Sequence, residues 1–155
     1  MKIHYLVAML SLLPAGLFAG EPLRDQHGKT YDIDHLFNQV TVVDFAAAWC
    51  QPCWRALPHI QAFAKNHPEV QVLVVSQDDQ IRGRDKLVKK LGLEIPVLWD
   101  AGHQLAEKMQ PPGMPTTFVV DSEGKVVHSQ VGFDEKKWAK TQAVIEKLLA
   151  ARKNP

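Results

Sequence analysis

An apolar, β-branched run at residues 40–45, VTVVDF, passes almost directly into Trp49-Cys50-Gln51-Pro52-Cys53. That junction limits the possible folds more than any other feature. The run reads as a buried strand. The residues after Cys50 carry apolar side chains at Ala56, Leu57, Ile60, Phe63 and Ala64, a helical spacing that predicts a helix over 51–66. A strand feeding straight into a helix opens a βα unit, so the chain is expected to be α/β. The rest of the sequence continues the pattern. Strands are expected at 70–76 and 95–100, and helices at 81–91 and about 103–109. The helix at 81–91, IRGRDKLVKKL, is basic, and its charges are read as solvating an outer face. A strand at 116–121, an SEG turn and a strand at 125–132 form a hairpin. A closing helix at 133–152 is expected to turn Trp138, Val144, Ile145, Leu148 and Leu149 inward. The order is βαβα, an extra βα unit, then ββα. Helices must cover both faces of one sheet, and the terminal hairpin makes that sheet mixed.

Residues 1–20 differ from the rest. Lys2 precedes an apolar run that is broken by Pro14 and ends in small residues. The run is shorter than the roughly 20 apolar residues of a membrane span, and it fits a signal peptide cleaved after Ala19. An uncleaved membrane anchor is the alternative. Residues 21–155 are then one domain, without repeats or long linkers. The formal net charge of the chain is +1, which gives no reason to expect nucleic acid as a partner. Export places the cysteines in an oxidising compartment, so the periplasm is the expected location.

Both cysteines of the chain lie in this one motif. A haem attachment site needs histidine directly after the second cysteine, where Trp54 stands. A structural zinc site needs four ligands, and His59 and His67 are too widely spaced to supply two of them. A staple across so short a loop removes little unfolded-state entropy. A redox pair suits the spacing. Cys50 falls near a helix N-cap, where free N–H groups and the helix dipole stabilise a thiolate. Cys53 lies one turn inside, within reach of a mixed disulfide formed by Cys50. Pro52 fits the first turn, where its missing N–H is not needed, whereas Pro58 is expected to kink the helix.

VVDFAAAWCQPC, with Pro58 downstream and GMPTTFVVD later, resembles the thioredoxin superfamily. The extra βα unit and the signal peptide resemble its exported TlpA/ResA-like branch. The resemblance implies a thioredoxin fold and a thiol–disulfide oxidoreductase with a redox-active Cys50–Cys53 disulfide and no other cofactor or metal. It implies a cis-proline at Pro115, facing the disulfide, with the Met114 backbone pairing with substrate and Trp49 beside the pair. Asp44 occupies the position at which thioredoxins carry an acid that moves the proton of the second cysteine. Gln51 and Pro52 are the active-site dipeptide. The implied partners are protein thiols and disulfides and a membrane electron donor, acting on a monomer.

The chain departs from that branch in places. The branch commonly has a neutral residue at the Asp44 position and a glutamate where Ala56 stands, and Ala46 replaces a usual tryptophan. Two other readings stay open. One is a copper-handling protein of the same fold, with His128 as the candidate extra ligand near the sheet end. The other is a redox-silent binding module or chaperone that uses the Met114 groove.

Overall fold

The computed structural model describes residues 21–153. The expected signal peptide, residues 1–20, lies outside the described residues. Seven strands form one sheet. They are β1 (Leu23–Arg24), β2 (Thr30–Tyr31), β3 (Thr41–Ala46), β4 (Gln71–Ser76), β5 (Val97–Trp99), β6 (Thr116–Val120) and β7 (Val126–Val131). The helices are α1 (Gln51–Asn66), α2 (Ile81–Leu91), α3 (Gln104–Met109) and α4 (Glu135–Lys153), with a 3-10 turn at Ile33–His35.

The sheet order is β2-β1-β5-β4-β3-β6-β7. Strands β3, β4 and β5 run parallel, whereas β6 is antiparallel to β3 and β7 to β6. The sheet is therefore mixed, and the fold is the expected α/β one. The hydrophobic alternation of β3 is hidden because every residue of that strand is buried. A central strand covered on both faces needs no polar side.

The two faces hold separate cores. On one face, Val42 and Ala46 of β3 pack with Cys53, Leu57 and Ile60 of α1, Leu87 of α2, and Trp138 and Ile145 of α4. On the other, Val43 and Phe45 pack with Phe118 of β6, Leu105 of α3 and Ile33 of the 3-10 turn. The parity of β3 therefore decides which residues meet α1. Even-numbered residues do, and Asp44 is one of them.

Differences from the expected pattern have local causes. Arg84 of α2 is buried rather than on an outer face. Its guanidinium meets the Asp85 carboxylate at 2.7 Å and donates to the Arg24 carbonyl of β1 at 3.4 Å, so the charge is paired where it is buried. In α4, Thr141 is fully buried, and its hydroxyl donates to Gln130 Oε1 at 2.8 Å. Periodicity of apolar residues alone does not reveal a polar pair of that kind. Trp138 and Ile145 are buried as expected, with Leu148 and Leu149 packed against them.

Candidate active site

Local chemistry places the cysteines at the start of α1. Cys50 is the N-cap residue, in extended conformation, and Pro52 sits in the first turn. Cys50 and Cys53 are joined in a disulfide. The Cys50 sulfur also accepts the Cys53 backbone N–H at 3.3 Å. An N–H aimed at this sulfur, at the positive end of a helix, favours its thiolate when the bond is reduced. Cys50 is 5% exposed and Cys53 fully buried. Only Cys50 meets the solution.

Asp44 lies beneath, on the α1 side of β3. It is fully buried. Its Oδ1 accepts from the Thr117 hydroxyl at 2.7 Å, because Thr117 is its registered neighbour on β6. Its Oδ2 has no hydrogen-bond partner. Burial pushes the carboxyl from 3.8 up to about 7, against the smaller opposing effect of the Thr117 hydrogen bond. The folded state thus holds this proton over a range where the unfolded chain has released it. Stability must fall as pH rises through that window. Asp44→Asn cannot ionise and escapes the loss. Between pH 4 and 8 the wild type should lose about 4 kcal/mol relative to the variant, as read by urea unfolding at each pH.

The Met114–Pro115 peptide bond is cis, as the resemblance implies. Thr116 is registered on Phe45, so Pro115 and Met114 stand at the C-terminal end of β3, beside the loop that leads to Cys50. Met114 packs against the core cluster that contains both cysteines. Trp49 is 68% exposed, so it is not a core aromatic. Trp49 and Met114 face a groove of about 570 Å³ whose other walls come from Gln77, His103 and α3.

The loop before the cysteines is held by residues that sequence reasoning missed. Asp78 is buried and accepts the Ala48 N–H at 3.0 Å and the Ser76 hydroxyl at 2.9 Å. The indole N–H of Trp54 donates to the Ala48 carbonyl at 3.0 Å. Both polar groups of Ala48 are therefore bound. Asp78 also occupies the space beside Gly83 of α2, where an added Cβ would run into its carboxyl group. The only signal in the sequence was an acid two residues after a strand end. Gly83→Ala should cost about 1–3 kcal/mol in urea unfolding, the usual size of an overpacking penalty.

Two cations stand near the start of α1. Arg55 is turned to a surface shared with His59 and Phe133, away from Gln51 and Trp49. Lys86 of α2 instead lies over the Trp54 ring, 6.0 Å from its centroid, in a shallow hollow with Gln51 and Trp49. His128 is at the wrong end of the sheet for the copper reading. Its partner Val119 is registered on Val42, whereas the cysteines follow Ala46 at the other end of β3. Its Nε2 contacts Thr141 at 3.1 Å. Among the described residues, no group of three or more histidine, cysteine or carboxylate side chains is placed to hold a metal.

Known proteins resemble this chain in sequence and fold. The thiol-disulfide oxidoreductase ResA of Bacillus thuringiensis is 26% identical over 110 residues, covering 70% of this chain and 64% of ResA. The chain thus spans under two thirds of that relative. A Chlorobium tepidum structure reported as a thiol:disulfide interchange protein of the DsbE type superposes with a TM-score of 0.73 at 27% identity. It covers 83% of this chain and 92% of its own. The exposed lipoprotein thioredoxin Etrx1 of Streptococcus pneumoniae superposes with a TM-score of 0.66 at 30% identity, covering 81% and 98%. Residues 11–149 match the Redoxin family, and with its cysteine pair at the head of α1 and its cis Met114–Pro115 bond this chain belongs to that family, as a TlpA/ResA-like member of the thioredoxin superfamily.

Proposed function

We propose that the chain is an exported thiol–disulfide oxidoreductase that reduces disulfides of other proteins in the periplasm. The observation that carries this reading is Asp44, a buried carboxyl with an unbound oxygen on the α1 side of the sheet, below a cysteine pair. A static crosslink has no use for such a group. The Cys50 thiolate attacks one sulfur of a substrate disulfide, and the other substrate sulfur leaves as a thiolate. Asp44 accepts the proton of Cys53. The Cys53 thiolate then attacks the Cys50 sulfur, the second substrate thiolate leaves, and the Cys50–Cys53 disulfide forms. Two electrons have passed to the substrate, and a membrane donor restores the dithiol. Trp49, Met114 and Pro115 hold the substrate chain in an extended form along the groove, as in strand addition. No further cofactor takes part, and the protein acts as a monomer.

Reduction of insulin by the pure protein with dithiothreitol tests the reading. Precipitation of the insulin B chain well above the dithiothreitol background is expected, and its absence, or tight Cu(I) uptake in its place, would overturn it. Direction follows from the dipeptide. Gln51 and Pro52 carry no charge, so helix-end N–H groups are the main support of the thiolate. Weak thiolate support makes a reducing pair. Equilibration with glutathione should give a potential nearer thioredoxin's, about −270 mV, than the roughly −120 mV of a strong oxidase.

A further inference from the structure

One wall of the groove is built from three polar side chains joined end to end. Asp100 is fully buried and serves as an acceptor throughout. Its Oδ1 takes the Leu105 N–H at 3.3 Å, and its Oδ2 takes the Ala106 N–H at 3.0 Å and the Gln77 side-chain amide at 3.0 Å. The Gln77 amide is thereby fixed, with nitrogen toward Asp100 and oxygen outward. That oxygen lies 2.8 Å from His103 Nδ1. An amide oxygen only accepts, so Nδ1 must carry the hydrogen. The tautomer is set by a buried carboxylate two bonds away. Nε2 is left as the ring atom available to the groove that His103 shares with Trp49 and Met114. His103 also has a φ of 53°, an uncommon backbone for a residue with a side chain. His103 is the N-cap residue of α3, but its side chain makes no capping bond there; the Leu105 and Ala106 N–H groups go to Asp100.

We infer that His103 is a substrate-binding residue, held in place by Gln77 and Asp100, that hydrogen-bonds the main chain of an extended polypeptide crossing the groove. This rests on the proposed oxidoreductase activity and names the substrate feature that the groove reads. An extended chain presents polar main-chain groups on both edges. Met114 serves one edge, and His103 stands on the wall that faces the other. The nearby carboxylates are Asp79 and Glu107 on the same groove and Asp100 behind it. Recognition of main chain rather than a side chain would let one groove accept disulfides in varied sequences.

The test compares two disulfides with the same leaving group. One is the small aromatic disulfide 5,5′-dithiobis(2-nitrobenzoate). The other is a nine-residue peptide whose central cysteine carries the 5-thio-2-nitrobenzoate group. Pre-reduced full-length protein is mixed with an excess of either, and release of the yellow thiolate is followed through one turnover. His103→Asn tolerates the positive φ but is too short to bridge Gln77 and the substrate. It should raise the half-saturating peptide concentration about fivefold, the size of one neutral hydrogen bond, with the limiting rate unchanged. The rate with the small disulfide should not move. Gln77→Leu should do the same in the wild type, and nothing further in the His103→Asn background. Equal slowing with both disulfides, no change with the peptide, or additive effects of the two substitutions would each overturn the inference. Wild-type protein that attacks neither disulfide would instead overturn the oxidoreductase reading itself.

Discussion

Cys53→Ser is expected to stop insulin reduction after a single event, leaving Cys50 covalently joined to one insulin chain. The first attack needs only Cys50, which keeps its place at the helix N-cap and its share of solvent. The second needs a buried sulfur three residues on, which serine does not supply. Turnover should fall to the dithiothreitol background, and mass spectrometry should find the adduct on Cys50. Cys50→Ser should give neither turnover nor adduct, since the fully buried Cys53 has no route to a protein substrate. An adduct on Cys53, or turnover surviving either change, would reverse the two roles. The same assignment predicts that iodoacetamide labels Cys50 of the reduced protein first.

Asp44→Asn should slow resolution of the mixed disulfide by about 10²–10⁴-fold at pH 8, the usual worth of a positioned general base. The initial attack by Cys50 should change far less. The pH dependence identifies the cause. Asp44 can accept a proton only when ionised, and burial holds its carboxyl up to about 7. Resolution by the wild type should therefore accelerate as pH rises through about 7 and then level off. In Asp44→Asn that rise should disappear. Rapid-quench measurement of the Cys50 adduct over pH 5–9 gives both curves. A variant that keeps the rise, or that slows attack and resolution alike, would make Asp44 structural only. The same substitution should stabilise the protein at high pH, so a slow and more stable variant is the expected combination.

Much of this site was legible in the sequence because it obeys local rules. A cysteine before a proline-containing first turn, after a β-branched run, reads directly as a sulfur at a helix N-cap, and the structure puts Cys50 there. Asp44 stood out because a charge inside VTVVDF is out of place in a strand buried on both faces. Boundaries shifted by only a residue or two, as at Val97–Trp99, where the flanking residues fall outside the ladder. The illegible parts depend on contacts between distant segments. Nothing near Asp78 announces that its carboxylate will reach the Ala48 N–H, thirty positions back. Trp49 was ambiguous for a related reason. An aromatic beside a motif can point in or out, and it points out. The place of Lys86 was illegible because the path of α2, which sets what overhangs Gln51, follows from sheet order and not from its own pattern.

The contact between Gly83 and Asp78 ties the active-site loop to α2. The extra βα unit, β5 with α3, meets the site on its other flank, where His103 and α3 line the groove. Trimming that unit away would remove His103 and with it one bank of the groove, while the Asp78 brace under Ala48, which precedes α2, would remain.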